Sequence, residues 1–595
     1  MGFTTPNYPP INPKQFLAQP LMERMKLLTV FWVENGFGAP KIVYAMYLTK
    51  LLFFYAVGGV LVATLTSGLT PWAVSTWWNE PIVYQKAVLW TVLLESINVA
   101  GSWGPLAGKA KPMTGGIRFW LRPGTIRLRP WRLPFTAGDR RTWFDVGMYA
   151  ALLLSLVTAL ALPGVVNSEL ANALPGANAG LVRPEVVLVP AVLLALIGLR
   201  DKIIFLGARG EQYLPAMLFF GLLPFVDMII ALKLLIITVW LGAGFSKFGK
   251  HFAHVVPPMV SNGPFVGSKR LKRAHYRDYP RDLGPSRVGS LLAHGGGTAV
   301  EIITPLVLLF STNHWVTLAA IAVMVIFHLF ITSLFPLAVP LEWNVLFAFA
   351  TIFLFGGFPA SDGYGVTDMS PPWLAVLIAA ALLFFPVLGN FRPDLVSFLP
   401  AMRQYSGNWA AGMWAFAPGA EEKLYAVQRP VGNQIDQYQA IGVEPEWAEV
   451  SLQQGIAFRC MHTQGRGLVS ILRRHLPDID RRSLREGEFV CNSLVGFNFG
   501  DGHLHADNLI AAMQSQVGFK PGEVLIAWVE SQPAHRSVQE YKLIDPALGV
   551  VERGTYRVAD AAAEQPWLPN GPIPTQVTWT REPVDVGRES GATAP

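Results

Sequence analysis

Apolar residues in this chain come in long unbroken runs separated by short polar connections, without the one-sided repeat of a surface helix. Such runs mark helices that are covered on every side, by lipid or by other helices. They fall at Ile42 to Thr66, Ile82 to Val99, Phe144 to Leu162 and Glu185 to Leu199. A second group covers Thr298 to Phe310, Val316 to Phe335, Trp343 to Phe355 and Trp373 to Leu388. Between the groups lies Leu214 to Gly244, which runs into GAGFSKFGKHFAH (Gly242 to His254). The pattern predicts an α-helical polytopic membrane protein with about nine or ten membrane segments. Several runs are shorter than the roughly 20 residues of a perpendicular span, which implies tilt or burial inside a bundle.

The ends of the chain read differently. Residues 1–41 are Pro-rich and then mildly amphipathic, which suits either a segment lying on the membrane interface or a short packed helix. The transmembrane part covers 42–390, with its organising core at about 214–342, and 391–425 reads as a linker. Alternation in EVLIAWVES, QEYKLID, GVVERGTYRV and TQVTWTRE, with helical patterns between, predicts an α+β domain over 426–580. The last residues, 581–595, carry the composition of a disordered tail.

Charge sets an expected orientation. Gly101 to Trp143 holds nine Lys or Arg against one acid, and Ser246 to Ser290 holds nine against two. The connections Ser67 to Glu80, Pro163 to Val182, Ser311 to Trp315 and Gly356 to Pro372 hold no Lys or Arg. By the positive-inside rule the basic loops, the N-terminus and the C-terminal α+β domain are cytoplasmic, in a multi-pass protein of the inner (plasma) membrane. Arg200 to Arg209 and Ser246 to Ser290 then lie on the same side. Leu214 to Gly244 must therefore cross an even number of times or dip and return, with a turn at Pro224 and Asp227; one long helix is the alternative.

Composition agrees with this class: 52% hydrophobic, 15% charged, 19 Trp and a mean hydropathy of +0.36. The basic excess sits in short loops beside apolar runs, so no nucleic-acid partner is expected. Two cysteines, Cys460 and Cys491, without a CxxC, support neither a disulfide framework nor a zinc ribbon. The N-terminal stretch has no signal-peptide pattern.

Ionisable residues inside membrane spans are costly and are functional candidates by default. Lys247 closes the central apolar run; buried, it could supply a neutral amine as base or nucleophile, and snorkelling, it would only fix topology. Glu301 lies in TAVEIITPLVLLF and His328 in VMVIFHLFITSLF, a plausible interhelical pair. Glu95 and Asn98 stand about one turn apart in VLLESINVAG, and Asp227 with Lys233 forms a second candidate pair. His251 and His254 have a spacing that can chelate a metal, as can His503 and His505 in GDGHLHADN, although the glycines and Asp507 there also suit a turn followed by a helix cap. No metal site is assigned from these pairs. No Walker loop, GxSxG or HExxH is present, and the cofactor, if any, is unknown at this level.

The runs LLIITVWLGAGFSKFGKHF, AVEIITPLVLLF and VMVIFHLFITSLF resemble the membrane core of the HTTM proteins, the group that includes vitamin K-dependent gamma-glutamyl carboxylase. That resemblance implies a lysine base at Lys247, with Glu301 and His328 matching by residue type. The chain has Ser246, Lys247, Phe248, Gly249 where the carboxylase has paired lysines followed by Leu-Asp, and it lacks the carboxylase's large lumenal domain. Over its full length the chain resembles an uncharacterised actinobacterial transmembrane family of similar size (a domain of unknown function).

Two functional readings follow. One is a membrane enzyme acting on a lipid or isoprenoid small molecule, with Lys247 as base and Glu95, Glu301 and His328 lining the cavity. The other is a non-catalytic lipid-handling, transport or scaffold component of cell-envelope biogenesis. In either, membrane lipids are partners and the C-terminal domain could dock a protein.

Overall fold

Phe225–Ser246 is apolar all round, and 83% of its most apolar window is buried, against 22–44% for the other five membrane-length helices. A helix with no polar face is stable only when every side is covered, so this one forms the axis of the bundle. The computed structural model describes residues 2–97, 115–334, 341–396, 410–496 and 507–582.

Eleven helices carry the argument. They are α1 (Leu21–Asn35), α2 (Lys41–Leu65), α3 (Pro81–Ser96), α4 (Trp143–Ala161), α5 (Pro184–Arg200), α6 (Gly210–Leu222), α7 (Phe225–Ser246), α8 (Arg287–Phe310), α9 (His314–Leu334), α10 (Leu341–Thr351) and α11 (Trp373–Phe391). Around α7 are packed α6, α8 and α11, while α2, α3, α4 and α5 form the neighbouring layer and α9 and α10 close the other side. Among the described residues six helices are long and apolar enough to cross a membrane, or seven if Asn344–Gly357 and Ala360–Asp368 form one bent span. The expectation of about nine or ten counted shorter helices: α3 has 16 residues, α5 has 17 and α6 has 13. The run Leu214 to Gly244 is broken into α6 and α7, with Pro224 as the N-cap of α7. Proline has no N–H to continue a helix and fits at its first turn.

The C-terminal half holds a six-stranded antiparallel sheet in the order β4-β3-β5-β6-β7-β8. Its strands are β3 (Ala411–Phe416), β4 (Ser483–Glu486), β5 (Val524–Val529), β6 (Val538–Asp545), β7 (Gly549–Arg557) and β8 (Gln576–Thr580); β1 (Tyr276–Asp278) and β2 (Asp282–Pro285) make a small separate hairpin. Every residue of β3 is buried, with Trp414 opposite Arg485 on one side and Ile526 on the other. This corrects the linker expectation, because a central strand lies inside 391–425. AGMWAF is too short and too uniformly apolar to show alternation, which is how a strand buried on both faces reads. Of the expected tail, 583–595 lie outside the described residues.

Two contacts join the halves. One hydrophobic core runs from Leu232, Trp240 and Phe353 of the bundle to Trp414, Leu494 and Val524 of the sheet domain, and Trp120 Nε1 donates to the Val495 carbonyl at 2.9 Å. The N-terminal segment is a packed element: α1 lies on α12 (Pro445–Met461), Tyr8 stacks on Trp447 with centroids 4.3 Å apart, and the Leu21 N–H donates to Asp480 Oδ1 at 2.7 Å.

Candidate functional site

The C-terminal end of α7 meets α8 at Gly244. A Cβ there would lie 2.7 Å from Ile302 Cγ1 and 3.3 Å from Glu301 Cβ, so the glycine permits the close approach of the two helices. Trp240, Gly244 and Lys247 follow at spacings of four and three, which puts them on one helical face. Lys247 is the C-cap of α7, where the negative end of the helix dipole favours a cation. Its ammonium forms an ion pair with Glu301 Oε2, and both residues are 5% exposed. The same ammonium lies 5.4 Å from the Phe252 ring centroid and 5.6 Å from that of Phe327. Lys247 is thus held inside the protein and does not snorkel.

His328 is within electrostatic reach of Lys247 but is not the partner of Glu301. Trp240 Nε1 donates to His328 Nε2 at 3.1 Å, and His328 Nδ1 lies 2.7 Å from Asn344 Oδ1. An indole N–H can only donate, so Nε2 is unprotonated and Nδ1 carries the proton donated to Asn344. The imidazole is neutral with both nitrogens engaged. The expected Glu301–His328 pair is therefore replaced by Lys247–Glu301 and Trp240–His328–Asn344.

Other candidates also have new partners. Glu95 pairs with Arg209, Nε to Oε2 3.8 Å, with both side chains 1% exposed. Asp227 and Lys233 do not pair. Asp227 accepts from the Ser370 N–H at 2.9 Å, and Lys233 donates to the Phe358 and Tyr364 carbonyls at 2.6 and 2.7 Å, so both pin the loop before α11 onto α7. Asn98, His503 and His505 lie outside the described residues.

Below the ion pair the chain turns back through His251 and His254 into the junction with the sheet domain. Both imidazoles are buried, and His254 Nδ1 accepts from Arg466 Nη2 at 3.2 Å. Arg466 lies in the first turn of α13 (Thr463–His475) and also donates to the carbonyls of Cys460, Met461, Ala561 and Glu564. His462 is a close electrostatic neighbour. Burial, reinforced by Arg466 and Arg459, holds the protonation of His254 and His462 well below the usual histidine range; His251 is lowered to about 4, mainly by burial. Burial likewise pushes the Cys460 thiol up to about 12, so it is no nucleophile at neutral pH. A guanidinium on His254 occupies the position a metal would need, and among the described residues no group of three or more His, Cys, Asp or Glu has metal-holding geometry.

Sequence reading did not single out Trp240, Asn344, Arg209, His462 or Arg466. Trp240 was accessible from its spacing to Lys247; Asn344 meets His328, Arg209 meets Glu95 and Arg466 meets His254 over sequence distances for which one sequence offers no signal.

Several apolar spans, a buried ion pair at the end of the central one and a sheet domain fused to the bundle define a multi-pass membrane protein. The chain matches the family described as transmembrane protein of unknown function (DUF3556) over residues 1–578, and it belongs to that family. No curated protein and no solved structure matches it.

Proposed function

We propose that this membrane protein is an enzyme that removes a proton from a lipid or isoprenoid substrate, with Lys247 as the base and Glu301 as its proton partner. The observation that carries the reading is the buried Lys247–Glu301 pair at the end of the central helix. In a low-dielectric site the charged pair and the neutral pair are close in free energy, because desolvation opposes the Coulomb attraction. Moving the proton from the Lys247 ammonium to the Glu301 carboxylate leaves a neutral amine. That amine can accept a proton from a substrate O–H or activated C–H, and Glu301 holds the first proton until product leaves. Phe252 and Phe327 stabilise the ammonium that results. His328 serves as a positioning residue through Trp240 on the same helix. Glu95, paired with Arg209, has a structural role. The HTTM resemblance, with its lysine base, supports the assignment of Lys247.

The positive-inside count supports the expected orientation, and two sets of exposed aromatics mark the two membrane interfaces. Trp72, Trp315 and Trp373 are exposed beside the Lys/Arg-free connections, and Trp131, Phe135 and Trp143 beside the basic ones. We place the basic side, the N-terminus and the sheet domain in the cytoplasm. A non-catalytic lipid-handling or scaffold role is the second reading, favoured by the full hydrogen bonding of His328.

The test is to incubate purified wild type, Lys247→Met and Glu301→Gln with the total lipid extract of the native membrane and compare lipid profiles by mass spectrometry. One lipid class converted by wild type alone supports the enzyme. Identical profiles from all three proteins refute it.

A further inference from the structure

One stretch of the connection from α7 to α8 is pinned at both ends to membrane-length helices. A Cβ on Gly263 would lie 2.9 Å from Leu334 Cδ2, at the last residue of α9, and a Cβ on Gly289 would lie 2.6 Å from the His275 carbonyl oxygen. Ser286 adds two bonds at the second place: its Oγ donates to the Ala274 carbonyl at 2.6 Å and its N–H to the His275 carbonyl at 2.9 Å. A short turn joins α8 (Arg287–Phe310) to α9 (His314–Leu334), so the start of α8 and the end of α9 lie on the same side of the bundle. Residues 263–275 are therefore held at the level where both helices reach the membrane boundary.

Within this stretch the short helix Lys269–Ala274 has each of its sides assigned by contacts. Lys272 points inward, donating to the Ser261 carbonyl at 2.6 Å and the Glu34 carbonyl at 3.2 Å, and His275, one turn on, is buried with it. Lys269 and Arg273, four apart, both reach the Glu34 carboxylate of α1. At 100° per residue this leaves Arg270 and Leu271 on the side away from both. Beyond them, across the Ser286 bonds, come Arg287, Val288 and Leu291 in the first turn of α8. Arg270 and Arg287 are exposed and have no carboxylate partner among the described residues. Phe265, Leu271, Val288 and Leu291 are 51–73% exposed. From Gly263 to Leu291 the chain carries seven Lys or Arg against two acids, Asp278 and Asp282.

We infer that this side of the segment is seated on an acidic bilayer surface, with Arg270 and Arg287 against lipid phosphates and Phe265, Leu271, Val288 and Leu291 among the first carbons of the lipid chains. Unpaired guanidinium groups alternating with large apolar side chains match the two layers of a membrane interface, head group and acyl chain. The apolar side chains are continuous with the outward side of α8, where Ile303 and Phe310 are also exposed, so the surface that covers α8 reaches them as well. An acidic leaflet supplies the counter-charge that the protein leaves out. None of these residues takes part in the Lys247 chemistry.

The experiment uses the full-length protein carrying Leu271→Cys, labelled with an environment-sensitive fluorophore and reconstituted into vesicles of phosphatidylcholine alone or mixed with phosphatidylglycerol. Cys460 and Cys491 are buried, so the label goes to position 271. In the acidic vesicles the emission is expected to shift to the blue and to be quenched by spin-labelled lipid. In phosphatidylcholine, or in acidic vesicles at high salt, both effects shrink, because two arginines beside an acidic surface favour the seated state about thirtyfold and salt screens them. Adding Arg270→Gln/Arg287→Gln makes the acidic vesicles behave like the neutral ones. The salt dependence needs no second variant, so the test stands even if the triple variant folds poorly. A label at Thr578→Cys, on the exposed strand β8, should stay in water in both lipids. Water-like emission at position 271 in both vesicles overturns the proposal and leaves this side to a protein partner. Equal quenching in both, insensitive to salt, overturns it as well, since the contact would then be apolar only.

Discussion

Cutting one partner from the Lys247–Glu301 pair should be far more damaging than cutting both. Removing one member of a buried ion pair costs ~3–5 kcal/mol, since the other charge stays buried and uncompensated. After Glu301→Gln the ammonium keeps the Phe252 and Phe327 faces at 5.4 and 5.6 Å. Those contacts are worth ~0.5–2 kcal/mol, so the cost falls toward the lower end, about 3 kcal/mol. Lys247→Met loses the pair and the ring contacts together, and its cost moves toward about 4 kcal/mol. The double variant Lys247→Met/Glu301→Leu buries no charge and should cost no more than the worse single variant. The coupling energy is then at least about 3 kcal/mol, at the top of the range for neighbouring residues. Equilibrium unfolding in SDS mixed micelles, followed by tryptophan fluorescence, measures all four proteins. Single variants that each cost under ~1 kcal/mol and simply add would refute a buried, coupled pair and would fit an exposed one.

Other consequences can be checked separately. Gly244→Leu forces α7 away from Ile302, so it should cost ~1–3 kcal/mol as an overpacking change and shrink the Lys247–Glu301 coupling measured in that background. The contact between the bundle and the sheet domain should weaken in acid: His251, His254 and His462 are held neutral when folded, so their stabilising contribution is complete above about pH 6.5 and is lost as pH falls from there toward about 4, where His251 takes its proton. Hydrogen exchange of the α12–α13 corner should rise over that window, and a flat profile would contradict it. Deleting residues 2–35 exposes the face of α12 that α1 covers, so limited proteolysis should cut the sheet domain more quickly, whereas an N-terminus lying on the membrane would leave the cutting unchanged.

What the chain reveals of itself follows physical range. Long apolar runs carry their meaning within one helix, so the six membrane-length helices were legible though their number was overcounted, and so was the break at Pro224, which needs only the missing proline N–H. Lys247, Glu301 and His328 could be singled out because a charge in an apolar run is conspicuous by itself. Their partners could not. Glu301 faces equally apolar surroundings on each side, and nothing local distinguishes Lys247 from His328 as its neighbour. Glu95 was given to the cavity because its counter-ion, Arg209, sits in a basic loop that reads as topology. Asp227 and Lys233 bond to backbone groups of residues 358–370, and backbone acceptors leave no mark on sequence. The strand Ala411–Phe416 was hidden because both of its faces are buried.

The central claim is that Lys247 and Glu301 serve a lipid substrate inside the bundle. Native mass spectrometry of gently solubilised wild type and Lys247→Ala, with extraction and identification of the lipids each retains, tests it most directly. The account predicts one defined lipid or isoprenoid species on wild type that is replaced by an unconverted precursor on Lys247→Ala. The same bulk phospholipids on both proteins, with no species that depends on Lys247, would contradict it.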